Sequence, residues 1–241
     1  MITTDKELRV SKMAENLVGS EIIKLAGEVK AKIAAGEEIA NLTIGDFNPS
    51  IFPIPAELKK NIISCYEQGL TNYPMANGMP ELREVVASYI SSRRNLNYAP
   101  DEFLIAGGAR PLIYAGYQAL IDPGDVVVFP VPSWNNNHYT HLSRGRAVYI
   151  ESGVEDNFMP TEAALKPHVS EATLIAVCSP LNPTGTVFTR EQLEDICDLI
   201  VDENQRRGPE EKRLYLLFDQ IYWSLTFGDT VHYDPVSLRP E

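Results

Sequence analysis

The sequence predicts an α/β protein built on a mostly parallel sheet, and three observations predict it. Short apolar runs recur along the second half of the chain: EFLIAG, VVVFPV, RAVYIE, TLIAVCS and RLYLLFD. Segments of helical period lie between most of them. The runs are apolar on both sides, as strands covered by helices on both faces must be. Alternation of this kind gives a sheet whose ligands bind at the carboxyl ends of its strands.

The elements follow in order. Residues 20–36 predict a helix, with Ile22, Leu25, Ala26, Val29 and Ile33 on one face and Gly36 as its stop. NLTIGDFNPSIFPIP is rich in turn residues and reads as a connector. Pro55 opens a second helix that ends near Gly69, and Pro80 opens a third, ELREVVASYISSRR. EFLIAG reads as a short strand, followed by a helix over 110–121 that Asp-Pro-Gly-Asp closes. The last long helix runs over 189–205, where Thr189 and Gln192 have capping-box spacing.

Composition narrows the function. The chain has 241 residues, a net charge of -12, 44% hydrophobic and 22% charged residues. That is ordinary for a globular protein, and so acidic a surface repels a phosphate backbone, which argues against nucleic-acid binding. MITTDKELRV has no apolar centre, so no signal peptide is expected in it. No apolar run reaches the ~20 residues that span a bilayer. Cys65, Cys178 and Cys197 are scattered, two of them in apolar or helical patterns. Buried free thiols and a cytoplasmic location are the expectation.

Four sites follow the strands. Gly107-Gly108-Ala109-Arg110 leads into a helix whose first amides suit an anion, although a plain tight turn has the same look. Trp134 follows VVVFPV and either faces a flat ring or fills the core. Asn182, between prolines, offers an amide or merely belongs to a Pro/Gly turn. Asp219 ends an apolar strand, where a carboxylate is costly unless paired, and Tyr222 lies three residues on. Asp219 would alternatively cap a helix. Each is weak alone. Together they describe a planar ring bearing a phosphate, a ring nitrogen and a phenolic oxygen, which is pyridoxal 5'-phosphate, an electron sink for carbanion chemistry.

LTIGDFNPS, YPMANGMPELREVVA, GGAR, DPGD, PSW, SPLNPTG and DQIY then carry a resemblance. The chain resembles the class I/II aminotransferases of the fold-type I pyridoxal-phosphate enzymes, from about Ser11 onward. The resemblance implies a three-layer α/β/α large domain over 47–241, with a mixed, mostly parallel sheet. It implies that 1–46 form the N-terminal arm and helix of a small domain. It also implies amino-group transfer between an amino acid and a 2-oxo acid, in a homodimer of amino-acid metabolism. Gly108, Ala109 and Arg110 would hold the cofactor phosphate, Trp134 stack on the ring, Asn182 and Tyr222 bond the ring oxygen, and Asp219 pair the ring nitrogen. Tyr73 would reach the cofactor phosphate of the neighbouring subunit. Gly45 would lie beside the substrate carboxylate, with Trp134 and Asn182 also near substrate. The bond before Pro183 is expected to be cis.

Two departures stand out. GGAR lacks the Ser or Thr common in this phosphate loop. None of the nine lysines matches the family's Schiff-base lysine, and Lys212 reads as a surface charge in a polar turn. The resemblance therefore implies that these residues are the N-terminal portion of a longer enzyme, with no catalytic residue assigned among them. A pyridoxal-phosphate lyase or synthase shares the same cradle. A non-catalytic aminotransferase-like regulator lacks support, as no basic DNA-binding segment is present, and a nucleotide-binding domain lacks its glycine fingerprint. His138 and His141 are spaced i, i+3 but have no completing ligand, so no metal is assigned. They are expected on a helix after Trp134, and Asn135, Asn136 and Asn137 are candidates for the pocket wall.

Overall fold

The computed structural model describes residues 10–45 and 47–241. The first nine residues of the expected arm, and Asp46 of the LTIGDFNPS motif, lie outside the described residues. The chain divides into two compact units, Met1–Ala76 and Asn77–Glu241.

The first unit is helical. Ser11 accepts from the Ala14 amide (3.2 Å) and starts α1, Lys12–Glu15. α2, Glu21–Ala34, stops where Gly36 turns left-handed at φ 94°. α3, Ala56–Glu67, begins after Pro55, whose ring presets the entry angle. Of these helices only Ala26 is buried.

The second unit carries the sheet. Its elements are α4 (Pro80–Arg94), α5 (Ala109–Leu120), β1 (Val126–Val131), α6 (Asn136–Leu142), β2 (Arg146–Glu151), α7 (Glu162–Leu165), β3 (Ala172–Cys178), α8 (Arg190–Arg206), β4 (Tyr215–Asp219) and α9 (Pro235–Leu238). Pro80 takes the first helical position of α4, and Asn95 ends it in the left-handed region. Thr189 and Gln192 exchange the expected reciprocal bonds at the start of α8: Gln192 N–H to Thr189 Oγ1 at 3.1 Å, and Thr189 N–H to Gln192 Oε1 at 3.0 Å.

The strand order is β2-β1-β3-β4 and every pairing is parallel. Parallel strands need crossovers on the faces of the sheet, and the core is split accordingly. Val126, Val128, Ile175 and Val177 point to one face and pack against Leu193, Ile196, Cys197 and Ile200 of α8. Val127, Phe129, Leu174 and Ala176 point to the other face and meet Tyr117 and Ile121 of the α5 end and Tyr139 of α6. The result is three layers. At ~25 cal/mol per Å² of buried apolar surface, these two clusters supply the main stabilisation of the unit.

Two expectations need correction. EFLIAG forms no strand: residues 103–106 are irregular and follow a single 3₁₀ turn at Pro100–Glu102. A strand exists only by pairing, and among the described residues the segment's one backbone bond to a distant residue joins the Ile105 N–H to Asn77 O at 3.1 Å. It packs tightly instead, since a Cβ on Gly78 would sit 2.6 Å from Ile105 Cβ. RAVYIE, read as apolar on both faces, is an edge strand with Arg146, Tyr149 and Glu151 exposed. Lys212 is a surface charge, as expected, and its Nζ bridges Asp122 (2.8 Å) and Asp125 (2.5 Å) at the turn before β1.

Two ion pairs tie the C-terminal segment down, Arg94 to Asp234 and Arg239 to Asp198. A third network is buried: Glu203 accepts from Arg207 Nε at 2.8 Å, and Arg207 also donates to the carbonyls of Val169 and Ala172, each at 2.7 Å. Among the described residues no helix is long and apolar enough to cross a membrane.

Candidate functional site

Because all four strands run the same way, their carboxyl ends share one edge of the sheet. Cys178 and Asp219, the last residues of β3 and β4, are paired in register, and the Ser179 N–H continues the ladder to Asp219 O at 2.9 Å. A cavity of about 330 Å³ opens at this edge. Gly108, Ala109, Arg110, Trp134, Asn182, Asp219 and Tyr222 all line it.

The loop before α5 forms one wall. Gly108 caps the helix at φ 112°, ψ 172°, a conformation that any side chain would strain. Its own N–H donates to Ala106 O at 2.8 Å. In the first helical turn the backbone amides without an intrahelical acceptor are those of Ala109 and Arg110, Pro111 having no N–H.

The loop after β1 brings Trp134. The Val131–Pro132 bond is cis, and Asn135 follows the indole in the left-handed region at φ 60°. Arg110 Cζ lies 5.9 Å from the centre of the indole ring. The next turn of chain is buried polar wall: Asn136 Oδ1 accepts from the Tyr117 hydroxyl at 3.1 Å, and the Tyr139 and Tyr117 rings lie 5.5 Å apart.

The loops after β3 and β4 converge. The Asn182–Pro183 bond is cis, as expected. The turn that holds it is closed by the Gly185 N–H on Leu181 O at 2.7 Å, with Gly185 at φ 74°. Asn182 Nδ2 then donates to the Tyr222 hydroxyl at 3.4 Å.

Asp219 lines the same cavity. Burial pushes its carboxyl above the usual aspartate value, opposed by the Ile221 N–H, which donates to Oδ1 at 3.1 Å. Among the described residues no cation pairs with it. A half-desolvated acid facing a cavity without a counter-ion suits a cationic ligand atom. The neighbouring Cys178 thiol is pushed up to about 12, by burial first and then by Asp219, so it is an inert wall.

Gly45 and Tyr73 belong to the first unit and are exposed there, Tyr73 completely. Asn136 lines the cavity, whereas Asn135 is buried behind it and Asn137 is exposed. His138 and His141 lie on α6 as expected, and no group of three or more potential ligands that could hold a metal occurs among the described residues. Sequence reasoning missed Tyr139, one helical turn from Asn136, and Cys178, the register partner of Asp219. Helical spacing and strand-end position were the available signals.

The geometry can be set beside known proteins. The sequence profile described as aminotransferase class I and II matches residues 37–241. An aspartate aminotransferase of Bacillus sp. (strain YM-2) is 29% identical over 240 residues, covering 98% of this chain and 57% of its own length. A probable aspartate/prephenate aminotransferase of Rickettsia conorii is 29% identical over 222 residues, 91% of this chain and 52% of its own. Among solved structures, the aspartate aminotransferase of Thermus thermophilus with maleate superimposes with a TM-score of 0.86 at 26% identity, covering 97% of this chain and 58% of that one. The chain thus spans a little over half the length of the relatives it matches. The α/β/α layering, the cavity at the strand ends and the profile match over most of its length agree, and the chain belongs to the aminotransferase class I and II family.

Proposed function

We propose that this cavity is a pyridoxal 5'-phosphate site, and that the whole protein transfers an amino group between an amino acid and a 2-oxo acid. The observation that carries the reading is the half-desolvated carboxyl of Asp219, which pairs with no cation among the described residues, in one cavity with the Asn182–Tyr222 pair. The donor set fits the group. The first amides of α5 and the Arg110 side chain would hold the phosphate. Asn182 and Tyr222 would donate to the ring oxygen. The Asp219 carboxylate would pair with the ring nitrogen and favour its protonated form. Trp134 would supply an aromatic face for the ring, and Ile113, Val177, Leu217 and Ile221 would exclude water from around it. When bound, the cofactor supplies an electron sink for carbanion chemistry at an amino acid.

The lining contains no lysine, so the amine needed for covalent attachment comes from elsewhere in the whole protein. These 241 residues accordingly bind the cofactor without a covalent bond. Residues 47–241 serve as the cofactor domain and 1–46 as arm and small-domain helix. In a cytoplasmic homodimer, Tyr73 serves the neighbouring subunit's phosphate, a role its full exposure permits. Gly45 serves the substrate carboxylate. The relatives' names make aspartate the first donor to assay.

The test is titration of the chain with pyridoxal phosphate, followed by absorbance and tryptophan fluorescence. Saturable binding that inorganic phosphate competes away is expected. Absence of saturation would defeat the reading.

A further inference from the structure

Trp134 and Arg110 both face the cavity, yet neither is held there by the cavity itself. Both converge on one buried side chain that does not line it, Asn135. With its amide oxygen turned toward them, Asn135 accepts from Arg110 Nη2 at 2.6 Å and from Trp134 Nε1 at 2.8 Å. Its amide nitrogen then donates to His138 Nδ1 at 3.2 Å. The neighbours fix this orientation, because the reverse one would set amide N–H groups against two donors.

We propose that Asn135 is a positioning residue that locks the Trp134 indole and the Arg110 guanidinium in their cavity-lining orientations. The proposal rests on the cofactor-site reading above for its consequence, though not for its geometry.

The residue type matches the task. Position 135 has φ 60° and ψ 2°, a left-handed conformation in which Asn is among the few tolerated side chains. From that backbone the short amide reaches the N–H of the preceding indole. A buried amide that makes three bonds, one to a charged group, is expensive to misplace. Two consequences follow for the cavity. The indole N–H is engaged within the protein, so Trp134 offers a ligand its π face and no donor. Arg110, drawn to Asn135 through one nitrogen and lying over the same ring, is held near the phosphate end of the cavity. Rings and guanidiniums fixed in advance bind a flat anion with less ordering cost.

The experiment uses the ¹⁵N-labelled 241-residue chain, whose two tryptophans give two indole N–H signals, assigned with Trp223→Phe. Asn135→Gly tolerates the left-handed backbone but removes the amide. Its Trp134 indole N–H is expected to exchange with solvent at least about tenfold faster, and its pyridoxal-phosphate Kd to rise roughly fivefold. Asn135→Asp keeps the acceptor and should restore slow exchange. Unchanged exchange in Asn135→Gly overturns the proposal, as does fast exchange with unchanged affinity. Should that variant fail to fold, the parent chain decides: an indole N–H exchanging as fast as free indole overturns the proposal, and a protected one supports it. A protected indole in a parent chain that binds no pyridoxal phosphate defeats the cofactor reading while leaving the Asn135 lock intact.

Discussion

Asn182 Nδ2 stands 3.4 Å from the Tyr222 hydroxyl, across 40 positions of sequence. The two residues follow different strands, β3 and β4, whose parallel register brings Cys178 and Asp219 side by side. The pair is thus a product of the sheet, and it defines where a ligand oxygen would sit.

If both groups donate to that oxygen, removing either weakens cofactor binding. Asn182→Ala and Tyr222→Phe are each expected to raise the pyridoxal-phosphate Kd about fivefold to tenfold, for a lost bond of about 1 kcal/mol. Because the two touch each other, the double variant should lose less than the product of the single effects. Fluorescence titration of the four proteins checks this. Strict additivity would mean that the two groups do not share a ligand atom.

Asp219 sets function against stability. Its carboxyl titrates above the ordinary value of 3.8 because burial disfavours the charged form. A raised folded-state value means that its contribution is complete below about 3.8 and is lost as pH climbs through the raised value. Asp219→Asn should therefore melt higher than the parent protein at pH 7 and no higher at pH 3. The same change should lower cofactor affinity at least about tenfold, since the ring nitrogen loses its anion. Melting curves at the two pH values, with titration at pH 7, test both halves.

Glu203 has the opposite sign. Hydrogen bonds from Arg206 and then Arg207 hold its carboxyl down at about 2, from an ordinary value of 4.5, against the opposing effect of burial. Its stabilisation is present above 4.5 and is lost as pH falls toward 2. Glu203→Gln leaves the buried Arg207 guanidinium without its counter-charge and should cost ~3 kcal/mol at pH 7. Urea unfolding should show the deficit shrinking as the pH falls below 4.5.

The capping box of α8 offers a local check. Thr189→Ala removes the acceptor for the Gln192 N–H and should cost about 1 kcal/mol, with cofactor affinity unchanged. Thr189→Ser should stay near the parent value. Thermal unfolding separates them.

Much of this was written in the chain. The period and the capping pair of 189–205 place α8 within a residue of its observed ends, because caps and amphipathic spacing are local. Gly36, Pro55 and Pro80 mark helix ends for the same reason, as backbone freedom and proline geometry belong to single residues. SPLNPTG, PSW and DQIY could be picked out because each follows a strand that ends at one sheet edge, whereas GGAR follows a segment that only has strand composition. Where the chain misled, the deciding partner was distant. EFLIAG has strand composition, but no strand lies beside it, and RAVYIE is half exposed because β2 falls at the edge of the sheet.

By itself, then, the sequence determined the fold class, the helix ends and the set of polar residues that follow the strands, since all of these depend on neighbours in the chain. Only the tertiary structure decided which of them meet. Strand order placed β3 beside β4, and so Asn182 and Asp219 in one cavity. Packing of α5 and α6 on one face of the sheet brought Arg110, Trp134 and Asn135 together. Burial, which no single residue carries, raised the Asp219 carboxyl at the wall of the cavity, where no cation among the described residues pairs with it. Desolvation and through-space contact arise from the whole packed sheet, and a linear reading of residue types contains neither.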